Sequence, residues 1–389
     1  MTDREARLSQ LGILIKPTSA DCNLRCEYCF YLPKLQLYPD ATCHAMPPEV
    51  LDSLIRQYMQ MSGEHPSFGW QGGEPTMLGV DFFRRVVALQ AMHARRGQAI
   101  ANGFQTNGIL ITDEWARLFR RYNFLVGLSL DGPQHIHDHY RHDPRGRGTW
   151  EQVMATVEVL RRNEVEFNIL CMVTAHSAEQ AEAIYDFFLR HNLRFVQFIP
   201  CVERDPETGQ FAPYSASPRQ YGEFLCAIFD RWSAETPPKT YVRDMDDLLM
   251  WTMTGETPTC IFRQSCGDYL LVEHNGDVYP CDFFVEPEWK LGNLMETPLR
   301  EIALSDRFEE FRRGKSCHTG RCAACEWLPN CHGGCQRHRY AVGGPGNPVG
   351  PNGWDTTQPS HFCKAYRMLF QHSQGRLRQM AREMGRGGG

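Results

Sequence analysis

The stretch 12-GILIKPTSADCNLRCEYCFY-31 begins as a strand and ends as a set of thiols. Residues 12–18 are a short run with branched apolar side chains, bounded by Pro17 and polar residues, and read as a β-strand. Cys22, Cys26 and Cys29 follow at once, spaced C-x3-C-x2-C. Three thiolates on one short loop can meet at one metal centre, but a closed structural zinc site takes four ligands. One reading is a zinc knuckle completed by Cys43 or His44. The other is a cubane [4Fe–4S] cluster held by three cysteines, with one iron open to an exogenous ligand. A chelating amino acid, amine plus carboxylate, suits such an iron.

Outward from this loop the chain alternates strand and helix. Strand candidates lie at 67–73, 100–106, 124–131, 166–174 and 194–200, with amphipathic stretches at 48–61, 80–96, 112–122, 149–163 and 178–191 between them. Thr112 and Thr149 stand at the helix starts as N-caps. Repeated strand–helix units predict an α/β fold with a parallel sheet and right-handed crossovers. Unusual polar residues fall at the carboxyl ends of several strands: Cys22–Cys29, Gln71–Glu74, Gln105–Asn107 and Ser129–Asp131. That is where α/β barrels build active sites, so a partial (β/α)6 TIM-like barrel is favoured over an open doubly wound sheet. The expected organisation is a barrel over 1–235, a linker over 236–259, a Cys-rich domain over 260–370 and a C-terminal helix and tail over 371–389. A long loop is expected over 340–360.

The 389 residues carry a formal charge of −5 and 42% hydrophobic side chains, so a sizeable core is expected and nothing points to nucleic acid or an anionic membrane. No apolar run reaches the ~18 residues of a membrane span, and the N-terminus lacks the pattern of a secretory signal. A cytoplasmic location is expected. Sixteen cysteines in a long, patterned chain suggest metal or redox chemistry rather than a disulfide scaffold. Cys171 and Cys226 lie in apolar stretches and read as packing. His135, His137 and His139 do not share one helix face and are a poor metal site.

A second cysteine set occupies the C-terminal half. Cys260 and Cys266 precede Cys281, then 322-CAACEWLPNCHGGC-335 supplies Cys322, Cys325, Cys331 and Cys335, and Cys363 closes the series. These eight suffice for two four-cysteine sites, either structural zincs or iron–sulfur clusters. Cys317 is surplus.

The C-x3-C-x2-C loop after the first strand resembles the radical S-adenosylmethionine (SAM) superfamily. So does Tyr28 before the third cysteine, and so does 72-GGEP-75 at the end of the next strand. The C-terminal array resembles the SPASM domain of radical SAM maturases. With 68-FGWQGGEPT-76, 105-QTNG-108, 126-VGLSLDGP-133 and 279-YPCDFF-284, the chain resembles the anaerobic sulfatase-maturating enzymes along nearly its whole length.

That resemblance implies three [4Fe–4S] clusters and S-adenosyl-L-methionine. Cys22, Cys26 and Cys29 would hold the radical cluster. Cys260, Cys266, Cys281 and Cys335 would hold the first auxiliary cluster, and Cys322, Cys325, Cys331 and Cys363 the second. Tyr28, Gly72, Gly73, Glu74, Ser129, Asp131 and Arg141 would surround the cofactor. Tyr31 and Gln71 would face the substrate, and Asp282 would be the base. The implied activity oxidises a Cys or Ser of a sulfatase polypeptide to Cα-formylglycine, with flavodoxin or ferredoxin as electron donor. The competing expectations are a SPASM maturase making a thioether or carbon–carbon crosslink in a ribosomal peptide, and a zinc-bound scaffold without catalysis.

Overall fold

Alternating burial of Ile13 and Ile15 sets strand β1 (Gly12–Lys16) into a sheet. The computed structural model describes residues 3–39, 43–205, 208–234, 236–318, 320–339 and 358–386. Two compact units emerge. The first comprises Met1–Ser129, Asp138–Phe167 and Gly267–Arg312; the second comprises Leu130–His137, Asn168–Cys266 and Arg313–Gly389.

In the first unit, β1 pairs in parallel with β2 (Ser67–Trp70), β2 with β3 (Ala101–Thr106) and β3 with β4 (Phe124–Ser129). The helices Pro48–Met61, Gly79–His93, Asp113–Arg121 and Trp150–Arg162 fall in the expected places. Pro48–Met61 shows why: Val50, Leu51, Leu54, Ile55 and Tyr58 recur on one face and are buried. Thr112 and Thr149 do occupy the N-cap positions, but neither side chain makes the cap hydrogen bond. At the second, Asp138 Oδ1 accepts the amides of Thr149 (2.8 Å) and Trp150 (2.9 Å) instead.

The sequence order is broken at the other edge of β1. There β8 (Tyr269–Glu273) pairs in parallel with β1, in the register Lys16↔Glu273. Strand β9 (Asp277–Tyr279) returns antiparallel to β8, and β10 (Gly292–Asn293) antiparallel to β9. Residues 267–312, which fall inside the stretch expected as a separate Cys-rich domain, thus share a sheet with the first strand.

In the second unit β5 (Phe167–Val173) pairs in parallel with β6 (Phe195–Pro200), and β6 with β7 (Tyr241–Val242). The stretch expected as a linker carries β7 and the helix Arg243–Thr254. Helix Pro218–Trp232 opens with a capping box between Ser217 and Gln220. It packs closely on the helix Cys363–Arg386: a Cβ at Gly222 would stand 3.0 Å from Ala365 Cα. Cys171 is fully buried as expected, whereas Cys226 is half-buried. Most of the expected 340–360 loop lies outside the described residues. Among the described residues no helix is long and apolar enough to cross a membrane.

Candidate active site

The loop after β1 is held by its own backbone. Cys29 N–H bonds Cys26 C=O at 3.1 Å, and Arg25 N–H bonds His142 C=O at 2.8 Å. Cys22 Sγ accepts the Leu24 amide at 3.3 Å and faces Asn107 Nδ2 at 3.7 Å. Burial pushes the Cys22 thiol up to about 12, reinforced by the negative charges of Glu74, Cys26 and Cys29. Burial thus favours the neutral thiol at Cys22, and its conversion to thiolate requires a cationic centre to offset the charge. His44 is not available as a fourth ligand. Its Nδ1 meets Asp21 Oδ1 at 2.9 Å and its Nε2 meets the Tyr38 carbonyl at 3.1 Å. No three His, Cys, Asp or Glu side chains among the described residues converge closely enough to hold one metal ion.

The 72-GGEP-75 turn packs directly on this loop. Gly73 N–H bonds Ser19 C=O at 2.7 Å, and Glu74 N–H bonds Asp21 C=O at 2.8 Å. Gly72 has φ +141°, and a Cβ at Gly73 would fall 1.8 Å from Asp21 O, so the approach requires glycine. Glu74 is wholly buried. Its Oε1 accepts Thr76 N (3.1 Å), Thr76 Oγ1 (2.6 Å) and Thr106 Oγ1 (2.8 Å), and its Oε2 accepts Asn107 N (2.8 Å). Burial raises its pKa against these bonds. The carboxylate is therefore spent on tying the ends of β2 and β3 together. Asn107, oriented by it, reaches Asn23 Oδ1 at 2.7 Å beside the thiols.

Asp282 and Gln71 meet although 211 residues separate them: Gln71 Nε2 donates to Asp282 Oδ2 at 3.4 Å. Tyr269 donates to Asp282 Oδ1 at 2.8 Å and lies 3.2 Å from Cys281 Sγ. Both Gln71 and Asp282 are partly exposed. Tyr31 is only 2% exposed, and its hydroxyl donates to Glu273 Oε1 in a short hydrogen bond.

Tyr28 and Arg141 are stacked, with the guanidinium 5.4 Å from the ring centroid, and both are buried. Ser129 is buried at the end of β4. In the second unit Asp131 Oδ1 accepts the Met172 amide at 2.9 Å, and the Asp131 amide faces His137 Nδ1 at 3.3 Å. His137 is thus engaged with backbone, and His135 Nε2 meets Gln180 at 2.9 Å.

The second unit gathers two thiol sets. Cys322, Cys325, Cys331 and Cys363 line a cavity of about 270 Å³, walled by Trp327, Tyr366 and Phe370. Burial pushes Cys331 up to about 12, with the charges of Cys363 and Cys322 adding to it. Four cysteines lining one cavity supply the donor set of an iron–sulfur centre. Cys335 is likewise pushed up to about 12 by burial, then by Cys266 and Cys260. Cys281, in the first unit, stands beside Asp282 and Tyr269. Cys317 is exposed.

Three cations in these surroundings escaped the sequence reading. Lys315 is fully buried and donates to the carbonyls of Cys260 and Ile261. Arg339 is 1% exposed and donates to Lys315 O (2.8 Å), Cys317 O (3.2 Å) and Gly333 O (3.3 Å). Burial lowers its pKa, opposed by the charges of Cys322, Cys335, Cys266 and Cys331, which belong to both thiol sets. Lys16, at the end of β1, is 2% exposed, with Nζ 4.0 Å from the Tyr31 ring centroid. Burial lowers its pKa, opposed by the charges of Asp282, Glu273, Cys29 and Cys281 in that order. A charged residue in an otherwise apolar strand is the available sequence signal for Lys16.

Residues 17–188 match the model of the radical SAM superfamily, and residues 260–326 match that of an iron-sulfur cluster-binding domain, SPASM. A serine-type anaerobic sulfatase-maturating enzyme of Bacteroides thetaiotaomicron is 38% identical, covering 93% of this chain and 89% of its own. A cysteine-type enzyme of Clostridium perfringens is 35% identical, over 95% and 98% of the two chains. Among solved structures, native anSMEcpe with bound AdoMet and Cp18Cys peptide superposes with a TM-score of 0.86 at 34% identity, covering 96% of this chain and 99% of its own. Streptococcus suis SuiB, at 17% identity and a TM-score of 0.60, shares the fold. The expected fold class, a radical SAM α/β fold with a SPASM domain, is the one found.

Proposed function

We propose, for a chain that belongs to the anaerobic sulfatase-maturating enzymes of the radical SAM superfamily, that it oxidises a Cys or Ser side chain of a sulfatase polypeptide to Cα-formylglycine. The observation that carries this reading is the Asp282 carboxylate. It is held by Tyr269, at the start of β8, and by Gln71, just after β2, in the same unit as the Cys22–Cys29 loop.

Cys22, Cys26 and Cys29 would hold a cluster whose remaining iron takes S-adenosylmethionine. That pair supplies a carbon radical able to remove a Cβ hydrogen atom. The residues of the chain then do the rest. Gly72 and Gly73 bring the backbone against the cluster loop, and Glu74 and Asn107 fix that loop from below. Tyr28, Arg141, Ser129 and Asp131 are the proposed surroundings of the cofactor. Asp131 contributes through the Met172 amide it holds. Gln71 orients Asp282 toward the target side chain, and Asp282 takes the thiol or hydroxyl proton. Tyr31 acts from beneath, through Glu273, rather than by open contact. Cys322, Cys325, Cys331 and Cys363 are proposed for one auxiliary cluster. Cys260, Cys266, Cys335 and, by the family pattern, Cys281 are proposed for the other. This brings the total to three clusters, with a flavodoxin or ferredoxin as electron donor and the cytoplasm as location.

Mass spectrometry on two matched sulfatase-type peptides, one with Cys and one with Ser at the target, tests the reading. Reconstituted enzyme, S-adenosylmethionine and a strong reductant are supplied without oxygen. An aldehyde on either peptide is expected. Cofactor cleavage with both peptides unchanged would overturn sulfatase maturation in favour of a peptide-crosslinking maturase.

A further inference from the structure

Lys16 is a buried lysine, 2% exposed, whose Nζ is held over the Tyr31 ring and forms no ion pair with a carboxylate among the described residues. An unpaired charge removed from water is costly, and proteins seldom keep one without use. Its surroundings give it direction. The stem passes Gly72, whose missing Cβ would stand 3.4 Å from Lys16 Cδ. The tip lies over the Tyr31 ring, a face that tolerates a cation. In the sheet it is registered against Glu273, yet Glu273 is engaged by Tyr31 and His274 and forms no ion pair with it. Gln71, next to that Gly72 in the chain, donates to Asp282 Oδ2 at 3.4 Å, and both Gln71 and Asp282 are partly exposed.

We infer that Lys16 is a catalytic residue of the reaction proposed above: its ammonium faces the sulfur or oxygen of the target side chain and stabilises the negative charge that develops there. After the Cβ–H bond breaks and its hydrogen atom leaves, the target carbon carries one unpaired electron. The S–H or O–H bond then breaks, its proton goes to Asp282, and negative charge appears on the heteroatom. That electron next leaves to a one-electron acceptor, an iron–sulfur cluster, and the C=S or C=O double bond forms. A thioaldehyde is completed to the aldehyde by water, with release of sulfide. Proton transfer to a carboxylate moves charge onto the substrate, and a fixed cation in a dry site favours that movement. The ammonium matters after hydrogen abstraction and not before it.

The inference rests on the proposed function, and one experiment separates the two. Wild type, K16M and K16R are compared with a peptide deuterated at the target Cβ. Iron content, peptide binding, deuterium transfer to 5′-deoxyadenosine and aldehyde per deoxyadenosine are measured. For K16M we expect retained iron and deuterium transfer, with aldehyde per deoxyadenosine lowered by about 10²-fold. K16R should restore most of it, because the charge is kept. A wild-type ratio in K16M would overturn the role of Lys16, and so would a K16R as poor as K16M. If K16M loses its fold or iron, K16Q is read in the same way, and loss in both would assign Lys16 to packing and overturn the inference. Absence of aldehyde from wild type would instead sink the proposed function.

Discussion

Replacing Gly73 by alanine would drive a methyl into the cluster loop. The added Cβ would stand 1.8 Å from Asp21 O, 2.4 Å from Asp21 C and 2.7 Å from Ala20 C. These are backbone atoms, so no side-chain rotation relieves them. Carbon contacts settle near 3.5–4.0 Å, so the two loops must part by well over ~1 Å. The bonds from Gly73 N to Ser19 O (2.7 Å) and from Glu74 N to Asp21 O (2.8 Å) then break. Two lost buried hydrogen bonds, with partners left unsatisfied, cost about 3–5 kcal/mol locally. Cys22 follows Asp21 directly, so the displacement is passed to a cluster ligand. Misplacement on this scale costs on the order of 10²-fold in rate. The assay is iron and acid-labile sulfide after anaerobic reconstitution, followed by 5′-deoxyadenosine formation. Gly73→Ala should lose the iron of the radical cluster and at least ~10²-fold in cofactor cleavage. Gly103→Ala is the control, since the nearest atom to its added Cβ is 3.9 Å away. A Gly73→Ala enzyme with wild-type iron and cleavage would refute the close-approach argument.

Other consequences can be measured. Asp282→Asn should keep cofactor cleavage but lower aldehyde formation by about 10²–10⁴-fold, read by product mass against deoxyadenosine; equal yields would remove its role as base. Cys331→Ala takes one thiol from the cavity of the second unit and should leave that cluster's iron unbound, with full iron content as the contrary result. Asp247 is pushed up to about 7 by burial, and then by its neighbour Asp244. The folded state binds this proton more tightly than the unfolded one, so the stability it confers is present below about pH 4 and is lost as pH rises toward 7. Asp247→Asn should therefore raise the Tm by roughly 2–4 °C at pH 8 and hardly at all near pH 4; an equal shift at both would exclude the linkage.

The periodic alternation from 12 to 200 and the spacing of Cys22, Cys26 and Cys29 are properties of short segments, and both were legible without coordinates. So was the need for glycine at 72 and 73, because a turn that approaches another backbone leaves no room for a Cβ. Local signals did not show which protein partners a side chain takes. Glu74 stands at the end of β2, and four protein hydrogen bonds from Thr76, Thr106 and Asn107 fix its carboxylate. Thr149 stands at its helix start, yet Asp138 does the capping. Tyr31 lies beside the cluster loop, yet its hydroxyl turns inward to Glu273.

The tertiary structure alone decided what meets across long separations. Strand β8 enters the sheet beside β1, and that one pairing sets Glu273 beside Lys16 at one end of the strand, while Tyr269 at the other end holds Asp282, to which Gln71 after β2 donates. In the second unit Arg339 and Lys315 hold thiol loops that sequence spacing showed only as cysteines. A sequence records periodicity and spacing along the chain, because these are set by bonded neighbours. Strand order is set by which apolar faces and backbone edges satisfy one another, a choice made by the whole chain at once.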